Sequence, residues 1–219
     1  MPGLNMKEPV NAWTHLVACA AAFVGLVFLV VRAWGNVPKL TVMLVYGLSA
    51  VALFGASTLY HWLKASPKVE LLLKRVDHSA IYLMIAGSAT PVFYYGLDSA
   101  WRATMLAAMW GLAAAGILLK VWFIRLPRSI STALYLAMGW IAVVPFVKLL
   151  HTLPPVVLVL LALGGVFYTI GAVIYATKRL DFFPNRFGFH EVFHLFVVAG
   201  GAAHYAMIAL LVPLEPIAR

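Results

Sequence analysis

Charge is scarce in this sequence. Seven acidic and sixteen basic residues stand among 219, and 64% of the chain is hydrophobic. A soluble domain of this size cannot bury so much apolar surface, so the chain reads as one whose solvent is the lipid bilayer. Cysteine is scarcer still: Cys19 stands alone, which excludes an internal disulfide and leaves any metal to histidine and carboxylate. Also missing are a polar stretch long enough for a soluble domain, a low-complexity tract and a convincing internal repeat, so residues 1–219 read as one membrane domain. The net charge of +9 would suit a nucleic acid if the cations were clustered, but they are scattered along short linkers, which excludes that partner.

What the chain has instead is apolar length. Seven runs, at 13–31, 40–63, 78–97, 101–123, 130–150, 154–177 and 189–212, are each near the ~20 residues needed to cross the hydrocarbon core. The first is too long and too weakly charged at its flank for a cleaved signal peptide, and six more follow. Eleven of the sixteen cations (Lys7, Lys64, Lys68, Lys74, Arg75, Lys120, Arg125, Arg128, Lys178, Arg179 and Arg186) fall on one side. Arg32, Lys39, Arg102, Lys148 and Arg219 fall on the other. The positive-inside rule then predicts an all-α membrane protein, a seven-transmembrane helix bundle with a cytoplasmic N-terminus and the C-terminus outside. Its expected place is the inner (plasma) membrane of a bacterium, as a multi-pass protein. Pro91 and Pro145 lie inside the third and fifth runs and predict kinks there.

Ionisable residues inside a span are costly and point to function. His15, His61, Asp77, His78, His190 and His194 all map to the cytoplasmic ends of four different spans. Unrelated snorkelling residues would be spread over both faces, so the shared depth marks a constellation. The stretch HEVFH, residues 190–194, has the H-E-x-x-H spacing of a zinc protease, with both rings on one helix face. Its Glu191 is a poor candidate for the general base, because no downstream ligand completes a protease site. His204 lies ten residues on, roughly 15 Å further along the axis, and reads as a packed histidine. A better third ligand is His61. Three imidazoles with a fourth position open have the composition of a catalytic zinc site. Simpler roles compete: Asp77 and Asn11 as helix caps, Ser57 bonded back to the carbonyl of Leu53, and His15 as a satisfied interfacial residue.

Taken in order, EPVNAWTH, STLYH, VDH and HEVFH with the later AAHY resemble the hemolysin III branch of the progestin and adipoQ receptor family. That family is related to the adiponectin receptors and belongs to a wider group of membrane hydrolases that includes alkaline ceramidases. The resemblance runs from about Glu8 to Ile208. It implies zinc held by His61, His190 and His194 just inside the cytoplasmic leaflet, with Asp77 and Ser57 acting on or near the coordinated water. In related receptors an amide can stand between the paired histidines, which argues further against Glu191 as the base. The resemblance gives Glu8, Asn11 and His15 a structural or supporting role around the ligands; His78, Glu191 and His204 are assigned a similar place.

The leading expectation is a zinc-dependent membrane hydrolase that cleaves an amide or ester bond of a lipid at the cytoplasmic leaflet. Asp77 would handle the water and Ser57 would donate to the carbonyl oxygen. One alternative is a receptor-like or homeostatic protein in which zinc is structural and clamps helices. Another is a lytic or pore-forming protein, the activity for which hemolysin III is named, although no span shows the polar stripe of a channel.

Overall fold

The computed structural model describes residues 6–183 and 187–217, so Arg186 and Arg219 of the charge count lie outside the described residues. Among these, the chain forms eight α-helices: α1 (Pro9–Ala33), α2 (Val37–Trp62), α3 (Pro67–Gly96), α4 (Ser99–Trp122), α5 (Arg128–Gly139), α6 (Phe146–Thr152), α7 (Pro155–Thr177) and α8 (Phe189–Leu211). Proline stands in the first turn of α1, α2, α3 and α7, where the lost N–H had no partner to lose. Asn36 and Asp98 cap α2 and α4 by accepting the N–H groups of Lys39 and Trp101, both at 3.1 Å.

The helices are apolar on the outside and carry polar groups within. Val17, Val24 and Val31 recur every seventh residue on α1 and are about two-thirds exposed, whereas Asn11 and His15 on the same helix are buried. Water would not tolerate that inversion, but a bilayer selects it. Consecutive helices α1 to α4 pack side by side, α5 and α6 lean on α7, and α8 closes the ring by contacting both α7 and α1. From Asp77 onward α3 is largely buried, and its contacts with α2, α4, α5, α6 and α8 place it at the centre of the core. Close approach at α3 and α4 depends on Gly116, where an added Cβ would collide with the ring of Tyr82.

Five helices are long and apolar enough to cross a membrane, or six if the bent pair α5–α6 is one span. The expected third span falls short because α3 is more polar than a lipid-facing helix. It begins at Pro67 rather than near residue 78, and its first turns carry Lys68, Glu70, Lys74 and Arg75. The fifth run is interrupted. A short 3-10 turn, Trp140–Val143, links α5 to α6 with a bend of 50°, and Pro145 stands at the break, where it has no N–H to continue the ladder. Pro91, by contrast, lies within α3, which continues to Gly96.

Candidate metal centre

The early start of α3 removes the capping reading of Asp77. The N-cap is Ser66, and Asp77 sits almost three turns inside the helix with its side chain among the buried polar groups. Asn11 is not a cap either. Glu8 holds the N-cap position of α1, so Asn11 lies in the first turn and is fully buried. Both residues are thus free to serve the interior.

Three imidazoles meet there. His61 comes from the last turn of α2, and His190 and His194 from the first turns of α8, one above the other at i,i+4. Their ring centroids lie 5.1, 4.8 and 4.8 Å apart, and one nitrogen from each falls within 4.8 Å of the others. A closed tetrahedral site would bring such nitrogens to about 3.4 Å, so at its widest the cluster is up to about 1.4 Å more open than a bound state. Its chemistry fits a metal. His194 Nδ1 is buried without a hydrogen-bond partner, and among the described residues no carboxylate or thiolate joins the group of three. Three close histidines of this kind could hold a metal ion.

Glu8 reaches two of the three rings and is hydrogen-bonded to one. Its own N–H donates to the carbonyl of His61 at 2.9 Å, fixing the segment before α1 against the end of α2. Its carboxylate makes no capping bond to the backbone of α1 and places Oε2 2.8 Å from His61 Nδ1 and 3.5 Å from His190 Nδ1. Burial disfavours the charge on Glu8. The hydrogen bond and charge of His61, with Asn11 and His190 assisting, outweigh it and pull the carboxyl down to about 2. An ionised carboxylate only accepts, so His61 Nδ1 carries the proton and donates, leaving Nε2 as its ligand atom.

Asn11 extends the support. Its Nδ2 donates to Glu8 Oε2 and to Glu191 Oε1, both at 2.9 Å, and Glu191 Oε2 accepts the N–H of Gly188 at 2.8 Å. Glu191 therefore stabilises the N-terminus of α8 and ties it to α1. Its two oxygens are engaged away from the triangle, which is why the H-E-x-x-H spacing misleads here. His15 stacks on His194 with centroids 3.9 Å apart and both ring nitrogens unpartnered. His78 Nδ1 lies 3.1 Å from Asp77 Oδ2 without hydrogen-bond alignment. His204 is remote, packed against Tyr168 and Gly164, with Nε2 3.4 Å from the Leu161 carbonyl.

Two of the three histidines, His190 and His194, line a cavity of about 590 Å³. Ser57, Asp77, His15, His190 and His194 line its polar side, and Ile81, Ile85, Val92, Phe93 and Leu161 are among its apolar walls. Sequence reasoning missed Lys120 in this wall. The residue was expected in a cytoplasmic linker, but it lies in the last turns of α4, is 1% exposed and faces the interior. Its place inside the apolar run 101–123 is the one signal that separates it from Arg125 and Arg128, and its burial depends on how α5 packs.

Residues 4–205 match the family described as Haemolysin-III related. The chain is 36% identical to "Hemolysin-3" of Bacillus cereus over 208 residues, covering 94% of this chain and 92% of that one. It is 33% identical to "Hemolysin-3 homolog" of Bacillus subtilis (strain 168) over 201 residues, 91% of each. A more distant relative is "Adiponectin receptor protein" of Drosophila melanogaster, 27% identical over an alignment of 241 residues that covers 96% of this chain and 54% of the receptor.

Proposed function

This chain belongs to the haemolysin-III-related family, and on that premise we propose that it is a zinc-dependent hydrolase of lipid amide or ester bonds in the bacterial plasma membrane. We count α1, α2, α3, α4, the bent α5–α6 pair, α7 and α8 as seven spans, with the N-terminus cytoplasmic and the C-terminus outside. The observation that carries the reading is the meeting of His61, His190 and His194 beside a largely apolar cavity whose wall includes His190, His194, Asp77 and Ser57. A clamp needs only the ligands, whereas a reaction needs room for a substrate beside them.

His61, His190 and His194 would hold the zinc, which would supply Lewis acidity and a water acidified to a pKa of about 7. The chain's residues do the rest. Glu8 keeps His61 in the tautomer that points Nε2 inward. Asp77 accepts the proton of the attacking water, and its charge in a dry setting offsets that of the site. The Ser57 hydroxyl donates to the carbonyl oxygen as negative charge develops on it. The apolar walls hold the acyl chain, and their exclusion of water strengthens each of these interactions.

The test is release of fatty acid from a panel of amide- and ester-linked lipids presented in vesicles with the purified protein. Release should stop on chelation, return with zinc, and be absent from Asp77→Asn protein that still holds metal. Metal-loaded, folded protein that releases nothing from the panel would favour the structural reading, in which zinc joins α2 to α8. That reading draws on the hydrogen bonds by which Glu8 and Asn11 already bind α1 to both helices.

A further inference from the structure

The α4–α5 end of the cavity carries a charge that neither the metal centre nor the positive-inside pattern explains. Lys120 is 1% exposed, yet among the described residues its ammonium has no carboxylate partner. Nζ donates to Ser131 Oγ at 2.5 Å and lies 5.6 Å from the centre of the Tyr135 ring. One hydroxyl and one aromatic face compensate poorly for removing an ammonium from water. A lysine whose only task was topology would reach for the interface, as long cationic side chains do. This one faces inward.

It is also not alone. Lys74 from α3, Arg125 from the α4–α5 linker and Arg128 from the start of α5 line the same cavity, where Asp77 is the sole aspartate or glutamate among the described lining residues. Arg128 is held in place, donating to the Tyr175 carbonyl at 3.2 Å and stacking 4.5 Å above its ring. Cations gathered at one end of an apolar chamber describe an amphiphile with an anionic head. They outnumber the one acid by enough to suit a phosphate with two charges better than a single carboxylate. The volume of 590 Å³ is mid-range for a small-molecule site, roughly 300–1,000 Å³, and so suits one acyl chain rather than two.

We propose that this end of the cavity is an anion site, centred on Lys120, for the phosphate of a single-chain acyl lipid. The Tyr135 hydroxyl, which donates to the His78 carbonyl at 3.1 Å, connects it to the Asp77–His78 pair and hence to the candidate metal centre. The proposal extends the hydrolase reading by naming a headgroup, but binding requires no turnover.

The test is equilibrium binding to the full-length protein in neutral detergent, after chelation so that no phosphate–metal contact contributes. Three probes share one chain: 1-oleoyl lysophosphatidic acid, oleic acid and 1-oleoylglycerol. The phosphate lipid should bind at least ~10-fold more tightly than the neutral one, and Lys120→Met should remove that advantage while Lys120→Arg keeps most of it. Should Lys120→Met fail to fold, the double variant Lys74→Gln, Arg125→Gln should weaken the phosphate lipid and leave 1-oleoylglycerol unchanged. Equal binding of all three probes, or undiminished phosphate binding by folded Lys120→Met, would overturn the proposal. Oleic acid binding as tightly as the phosphate lipid would overturn the phosphate assignment in favour of a carboxylate. Since every arm reads binding, a protein that binds but never cleaves would leave this site standing while the hydrolase reading fell.

Discussion

Replacing Glu8 by glutamine removes a charge while keeping the shape of the side chain, and so isolates what that charge does for the histidines. Oε2 accepts from His61 Nδ1 at 2.8 Å and from Asn11 Nδ2 at 2.9 Å, and a glutamine oxygen in the same place can keep both bonds. His190 Nδ1, at 3.5 Å, is too far for a well-formed bond, so one ligand ring is directly affected. A charge-assisted bond contributes about 1.5–3 kcal/mol net and a neutral one about 0.5–1.5 kcal/mol. The difference, about 1–1.5 kcal/mol, is close to tenfold in zinc affinity. Glu8→Ala, which abandons the ring altogether, should approach the ~100-fold end of the range for lost carboxylate–histidine partners. The assay is zinc titration of detergent-purified protein against a chelator of known affinity, with thermal unfolding of the metal-free proteins as a control. Affinity of Glu8→Gln within about twofold of the parent, with unchanged unfolding, would refute the claim that the charge of Glu8 raises the basicity of His61.

Other consequences are more briefly stated. Asp77→Asn should retain zinc and fold while lipid cleavage falls by about 10²–10⁴, measured as initial rates of fatty-acid release; an active variant would remove Asp77 from the chemistry. Asn11→Ala cuts the link between Glu8 and Glu191 and leaves partly buried carboxylate oxygens short of a donor, so it should lower the unfolding free energy by about 1 kcal/mol. A thermal-shift measurement with no change would show that the α1–α8 link is dispensable. Gly116→Ala drives a methyl into the buried Tyr82 ring and should destabilise by about 1–3 kcal/mol, whereas Gly111→Ala, with open space around it, should be neutral by the same measurement.

Much of this was legible in the residues themselves. The apolar runs predicted the helices, and the shared depth of His61, His190 and His194 placed three rings together from segments more than a hundred residues apart in sequence. The errors have physical causes. Hydropathy sees composition and not backbone, so the charged turns from Pro67 to Asp77 were read as a linker, although a proline at the first helical position and good helix formers carry α3 through them. Asp77 and Asn11 were offered as caps only because the helices were expected to start beside them. The break before Pro145 was anticipated as a kink within one span, but the 3-10 turn and the 50° bend depend on packing against α7 and are not written in the run. Glu8 was named with the supporting residues, yet its reach to two ligand rings required the fold. The inward turn of Lys120 required it too.

The central claim, that the three histidines hold a catalytic metal, is tested most directly by metal stoichiometry. Protein purified in detergent without added metal should carry close to one zinc per chain by elemental analysis. The variant with His61, His190 and His194 all changed to alanine should carry none while remaining folded and membrane-inserted. Equal zinc in the two proteins, or an absence of bound metal from the parent even after zinc is supplied, would contradict the account.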